Sequence, residues 1–339
     1  MKSSPWLIAA ALALGVALPA QAAEKLKVVA SFSILGDIVS EVGGDHVEVR
    51  TLVGPDGDAH TFEPSPSDAK ALGAAAVLVE NGMGLEGWIG RLVTVSGFKG
   101  ERVEASKGIQ PLDWKGGAEG HDAHEGHDAH EGHDAHEGHD HAEKGHAEDG
   151  HDGHDHDAHA GHSHDVDPHA WQDPKNGIVY VNNVVAGLSA ADPANAGDYK
   201  ARGEKLSAEL AAVDARLKAE FAGIPEARRK IVTSHDAFGY FANAYGIQFV
   251  APEGVSTESE ASAADVAKII RQIKAENITA LFTENITDPR LLSQIARETG
   301  VKIGGALYSD ALSPPDGPAP TYLKMFENNG AALLAAMKG

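Results

Sequence analysis

Apolar positions recur along the chain in two alternating periods. Leu26–Ala30 is a short β-branched run, and Ile34–Val42 follows with apolar residues at helical spacing before a Gly43-Gly44 stop. Val47–Val53 reads as a second strand, closed by the turn-rich Gly54-Pro55-Asp56-Gly57-Asp58. Ser67–Leu72 then reads as a short helix, Ala76–Glu80 as a third strand and Leu85–Ser96 as another helix. Strand and helix in alternation predict a parallel sheet with right-handed crossovers.

Past residue 165 the alternation resumes. Ile178–Ala190 is helical, with Val and Leu recurring at three and four residues. Asp192-Pro193 predicts the start of a second helix, with Asp as cap and Pro in the first turn, running to Phe221. At roughly 30 residues it is long for a globular helix and suits a rigid strut between two lobes. Lys230–Thr233, Gln248–Val250, Ala280–Thr283 and Lys302–Gly304 read as strands. Between and after them come helices at Phe238–Tyr245, Ala263–Ala275, Pro289–Thr299 and Tyr322–Met337. The expected class is α/β, two (β/α) lobes with parallel-type sheets joined by one long backbone helix. The first lobe would span 23–114 and 166–191, the linking helix 192–222, and the second lobe 223–339.

The N-terminal residues follow a different rule. Lys2, the apolar run Trp6–Leu18 and the small-x-small triplet Ala20-Gln21-Ala22 read as a cleaved signal peptide over residues 1–22. The run is too short to span a bilayer comfortably. The chain has no cysteine, which removes disulfides, Cys-type zinc sites, thiol catalysis and the residue a lipid anchor would use. A free periplasmic protein is expected. A formal charge of −22 speaks against a nucleic-acid partner, since phosphate binding needs clustered Lys and Arg.

That acidity is concentrated in one insertion. Residues 115–168 hold 16 Asp and Glu against two Lys, a local −14, so the rest of the chain carries only −8. His-Asp-Ala-His-Glu-Gly repeats three times from His121 to Gly138, with degenerate copies to His164. Between Gly116 and Asp165 no apolar residue is larger than Ala, so the stretch (115–165 as a segment) is expected to be a disordered surface loop without metal. Its histidines are His121, His124, His127, His130, His133, His136, His139, His141, His146, His151, His154, His156, His159, His162 and His164. Flexible ligands imply weak, exchanging metal sites that gather or buffer zinc.

Four histidines remain: His46, His60, His169 and His235. His60 follows the turn after the second strand and His235 follows Lys230–Thr233. His169 stands in Asp167-Pro168-His169-Ala170-Trp171, where the insertion ends. Asp310 comes after the last strand, in Leu307-Tyr308-Ser309-Asp310. The carboxyl ends of parallel strands are where ligands bind in open sheets, and three imidazoles with one carboxylate make a sound closed site for zinc. Taken singly, each is as well read as a surface or turn residue. His46, at a helix-to-strand turn on the opposite edge, is expected to be a surface residue.

Five ordered motifs carry a resemblance. They are Val28-Val29-Ala30-Ser31-Phe32-Ser33-Ile34-Leu35-Gly36-Asp37, the stretch Gly54 to Pro66 around His60, Asp167-Pro168-His169-Ala170-Trp171, Ser234-His235-Asp236-Ala237-Phe238-Gly239-Tyr240 and Leu307-Tyr308-Ser309-Asp310-Ala311-Leu312. Through these the chain resembles the metal-specific (cluster A-I) solute-binding proteins of ATP-binding cassette (ABC) importers, of the zinc-binding ZnuA and AztC kind. The likeness covers essentially the whole chain outside the insertion and the signal.

The resemblance implies two lobes on a backbone helix with Zn²⁺ in the cleft. His60, His169 and His235 match the family's imidazole ligands, and Asp310 the carboxylate found in many members, a place that some zinc members fill with water or another acid. It also implies a monomer that captures zinc, free or from a periplasmic metallochaperone, and delivers it to an ABC permease. Affinity is expected to weaken as pH falls toward about 6.5. A zinc hydrolase is the enzymatic rival, with Asp236 or Glu63 as base, but the chain lacks a His-Glu-x-x-His helix and a fourth protein ligand closes the site. Two non-enzymatic rivals stand beside the zinc importer: a manganese or iron importer component, and a periplasmic zinc buffer.

Overall fold

Residues 24–113, 166–278 and 280–339 are described by the computed structural model of the chain. The signal expected in 1–22 and the loop expected in 115–165 lie outside the described residues. β1 (Leu26–Phe32) leads into α1 (Ser33–Gly43), β2 (Val47–Val53), α2 (Pro66–Gly73), β3 (Val77–Glu80), α3 (Ile89–Ser96) and β4 (Glu101–Glu104). All four strands pair in parallel in the order β2-β1-β3-β4. Central β1 is buried on both faces over its last five residues. That double burial is why it reads as a continuous apolar run rather than an alternation. β4 has one buried residue, Val103, and exists through its pairing with β3. α2 begins with a capping box, in which Ser65 and Asp68 satisfy each other's backbone N–H groups and Pro66 takes the first turn.

A two-stranded antiparallel pair follows, β5 (Leu112–Asp113) with β6 (Val166–Asp167). The described residues that flank the His-rich insertion are therefore held side by side. Helix α4 (Pro174–Ala191) starts a turn earlier than its apolar spacing suggests, because Asp173 accepts the N–H of Lys175 and Pro174 opens the helix.

The linking helix departs from expectation at its start. Pro193–Asn195 is a 3-10 turn, and α5 proper is Ala196–Ala222. Asp192 does not cap a backbone N–H. Its Oδ2 accepts from Asn195 Nδ2 and from the Tyr199 hydroxyl, both at 2.7 Å. The 27 residues of α5 extend about 40 Å. Tyr199, Gly203, Leu206, Leu210, Val213, Leu217 and Phe221 form its buried stripe, a spacing of three and four that keeps one face inward. At Gly203 a Cβ would stand 2.4 Å from Val185 Cγ2, so only glycine lets α5 approach α4 this closely.

The second lobe runs β7 (Lys230–Val232), α6 (Gly239–Tyr245), β8 (Gln248–Val250), α7 (Ala263–Glu276), β9 (Ala280–Glu284), α8 (Arg290–Thr299), β10 (Lys302–Leu307) and α9 (Tyr322–Lys338). Its parallel sheet has the order β10-β9-β7-β8. β10 extends beyond the expected Gly304 as an exposed edge strand whose register shifts between Ile303 and Ala306. The main core is continuous through both lobes: Phe32 and Trp171 of the first meet at 5.0 Å, and the ring of Phe221 of α5 lies tilted against Tyr245 of α6 at 5.5 Å. A separate small core, including Ile269, Ile273, Leu281 and Leu292, lies under α7 and α8. The result is a two-lobe α/β fold with parallel sheets and one long helix.

Candidate metal centre

The four side chains singled out at the strand ends converge. His60, His169, His235 and Asp310 each present one donor atom, and these atoms all lie within 4.8 Å of one another. The imidazole ring centres are 5.3–5.9 Å apart. His169, His235 and Asp310 are fully buried, and His60 is 6% exposed, so it marks the outward side of the cluster. His46 is not part of it. It sits half-buried at the opposite end of the sheet with Nε2 2.8 Å from Asp198 Oδ2 of α5 and its ring edge-on to Tyr199, so the surface residue expected there is a partner of the linking helix. Glu63 is exposed, and Asp236 lines a different cavity with Phe249 and Ile269.

Each ring is aimed by a group behind it. Asp167 Oδ1 accepts both the backbone N–H of His169, at 2.9 Å, and a hydrogen bond from Nδ1, at 2.7 Å. Glu284, the last residue of β9, accepts the backbone N–H groups of Ser234 and His235 on Oε1, at 2.8 and 2.9 Å. Its Oε2 stands 2.6 Å from His235 Nδ1, an ion-pair contact without hydrogen-bond alignment. Both arrangements leave Nε2 to face the cluster. His60 is placed through its backbone, which donates to Asp58 Oδ1 at 2.8 Å, while Trp88 Nε1 donates to the carbonyl of Ala59 at 2.8 Å.

Asp310 belongs in sequence to the second lobe but is held from both sides. Asn329 of α9 clamps the backbone of Tyr308 through its N–H and its carbonyl. From the first lobe, Trp171 Nε1 and Gln172 Nε2 donate to the carbonyl of Ser309 at 2.9 and 2.6 Å. The residues that flank His169 therefore fix the carboxylate that faces it.

The electrostatics are those of a buried cluster. Burial opposes a charged ring at His169, yet Asp310 and Asp167 outweigh it and push that imidazole up to about 9. His235 is raised in the same way by Glu284 and Asp310 against burial. Burial would raise the Asp310 carboxyl, but the two rings hold it well below the usual carboxylate range. Asp310 Oδ2 is 3.2 Å from Nε2 of both His60 and His235. Even so, the three Nε2 atoms and both Asp310 oxygens are buried without hydrogen-bond alignment to any described residue. Donors pointed at a common centre rather than at each other fit a cation with nitrogen and oxygen ligands.

Sequence reasoning did not single out Asp167, Glu284 or Asp58 as supports. Asp167 had a local signal, an acid two residues before a ligand-type histidine. Glu284 had none, because only the β7–β9 pairing brings it to His235.

Known proteins share this arrangement of lobes. The chain is 28% identical to the iron-binding protein YfeA of Yersinia pestis, over 95% of this chain and 94% of that one. It is 29% identical to the manganese-binding lipoprotein MntA of Halalkalibacterium halodurans, over 90% and 86%. Among solved structures, the periplasmic zinc binding protein TroA of Treponema pallidum superposes with a TM-score of 0.76 at 26% identity, covering 93% of this chain and 99% of that one. A manganese-bound periplasmic metal binding protein from Candidatus Liberibacter asiaticus gives 0.71 at 26%, covering 92% and 100%. The family model for ZnuA, the periplasmic component A of a zinc-uptake complex, matches residues 28–336. This chain belongs to that family of periplasmic metal-binding components of ABC transporters.

Proposed function

We propose that the protein captures Zn²⁺ in the periplasm for an ABC importer, and that His60, His169, His235 and Asp310 hold the ion. The observation that carries the reading is the buried, mutually unbonded set of three imidazole nitrogens and one carboxylate within 4.8 Å. Three imidazoles suit zinc, whereas manganese favours carboxylate and carbonyl oxygen. Relatives named for manganese and iron favour a second reading, in which the cargo is one of those ions. Competition separates the two: with equimolar Zn²⁺ and Mn²⁺ at one equivalent each, native mass spectrometry of the full chain is expected to find zinc in the tight site. Retention of manganese would transfer the protein to the second reading.

With four protein donors the site is a closed cage rather than a reaction centre. Delivery to a membrane permease, loading by free zinc or a metallochaperone, and gathering of zinc by the histidines between Asp113 and Val166 complete the reading. The supporting carboxylates should matter in turn. Glu284→Gln keeps the shape but removes the charge behind His235, and is expected to weaken zinc binding about 10–100-fold, the range for such outer partners. Chelator competition measures it, and an unchanged affinity would show that Glu284 serves only the backbone of Ser234 and His235.

A further inference from the structure

β3 ends against a residue whose every polar group is used. Asn81 follows Glu80, the last residue of β3, and is fully buried. Its Nδ2 donates to the carbonyls of Gly82 and Pro168, both at 3.0 Å, and its Oδ1 accepts the hydroxyl of Tyr180 in α4. Its backbone N–H donates to Glu86 Oε1 at 2.7 Å, and its carbonyl accepts the N–H of Ser106 at 3.1 Å. Glu86 Oε1 also accepts the hydroxyl of Ser31 of β1, at 2.6 Å. With Tyr180 donating, two carbonyls and a hydroxyl require two donors and one acceptor from a single short side chain. A carboxamide meets that demand, whereas a carboxylate lacks the donors.

Both carbonyls belong to segments beside the metal centre. That of Pro168 is part of the peptide unit whose N–H is His169's own. Asp167 Oδ1 takes that N–H at 2.9 Å, so the unit carrying the ligand is gripped at both ends, by Asp167 and by Asn81. The carbonyl of Gly82 opens a turn of three successive left-handed residues, Gly82, Met83 and Gly84, with φ of 85°, 54° and 81°. A non-glycine residue such as Met83 keeps that conformation only where its surroundings impose it. Met83, Gly84 and Leu85 line, together with His60 and Pro168, a cavity of about 40 Å³. One amide group therefore ties together two walls of the space at His60.

We propose that Asn81 is a positioning residue for His169, holding the Pro168–His169 peptide by its carbonyl, with the Tyr180 hydroxyl setting which way the amide faces. The inference rests on the reading of the four-residue cluster as the cargo site. Asp167 fixes the ring of His169 and the N–H of its peptide, and Asn81 fixes the opposite edge of the same peptide. Asn81 acts on the ion only through that ring.

Chelator competition for Zn²⁺ and the visible absorption of the Co²⁺-loaded full chain test this. Tyr180→Phe keeps the ring in the core and removes the hydroxyl, so the amide is free to turn its oxygen toward the two carbonyls. It is expected to weaken Zn²⁺ binding about fivefold, the share of one neutral hydrogen bond, and to alter the Co²⁺ spectrum. Asn81→Asp puts an acceptor where Pro168 and Gly82 need a donor, and is expected to weaken binding about 10–100-fold. In a His169→Ala background Tyr180→Phe is expected to cost no further affinity, because its effect passes through that ring. A Tyr180→Phe chain with wild-type affinity and Co²⁺ spectrum, or a loss of the same size in the His169→Ala background, would overturn the positioning role whatever the melting temperatures, and would leave the cargo site intact. If His169→Ala binds Zn²⁺ as tightly as the wild-type chain, the cargo site itself is misassigned and the role of Asn81 falls with it.

Discussion

His169→Ala is expected to hold Zn²⁺ about 10²–10³-fold more weakly than the wild-type chain. Closed four-ligand zinc sites bind with roughly 12 kcal/mol, so one ligand in four carries about 3 kcal/mol, or near 150-fold. The loss should exceed that share, because the substitution also removes one of the two hydrogen bonds to the buried Asp167 Oδ1, leaving it the backbone N–H of residue 169. The segment itself stays in place through Trp171 and Gln172, which grip the carbonyl of Ser309. Competition with a chelator of known affinity reads the change, and a His60→Ala, His169→Ala double variant extends it. If tight binding survives in the double variant, the His-rich segment is the receptor and the protein is a zinc buffer.

Zinc affinity is expected to climb with pH up to about 9, by about tenfold per unit for each proton displaced. In the metal-free cluster His169 is raised to about 9 and His235 is raised as well. At neutral pH His169 is therefore protonated and must lose a proton before its Nε2 can bind a cation, and the raised His235 resists deprotonation in the same direction. Two protons expelled per ion give a hundredfold change per pH unit, and one gives tenfold. Titration calorimetry in buffers of different ionisation enthalpy counts these protons, and a count near zero at pH 7 would refute the expectation. The same groups act oppositely on the metal-free fold. A histidine raised from 6.5 to about 9 adds stability that is fully present below 6.5 and is lost as pH rises toward 9. The empty protein weakens over the range in which the loaded one tightens. Sequence alone placed this window near 6.5, because the reference value for histidine takes no account of Asp310, Asp167 and Glu284 standing behind the rings.

Most of the fold was legible because the central strands β1 and β3 are buried on both faces and the helices are one-sided. Val47–Val53 and Gln248–Val250 have the bounds their apolar runs suggest. What escaped was set by pairing or capping rather than by pattern. Glu101–Glu104 is three-quarters polar and is a strand only beside β3. Asp173-Pro174 moved the start of α4, and Asp192 turned its carboxylate to Tyr199 instead of capping the linking helix. The convergence of His60, His169, His235 and Asp310 was expected from their places at strand ends and from family likeness. The carboxylates behind them were not, since 49 residues separate Glu284 from His235 and no local rhythm records that contact.

The continuity of the main core has a consequence for how this molecule comes apart. Packing ties α1, α4, α5, α6 and α9 into one apolar body, whereas Ile269, Ile273, Leu281 and Leu292 form their own small one beneath α7 and α8. Cooperative units follow contiguous packing rather than lobes. The line of weakness therefore runs through the second lobe, not along the cleft, so α7 and α8 can exchange their amide protons while the helices of the main core remain protected.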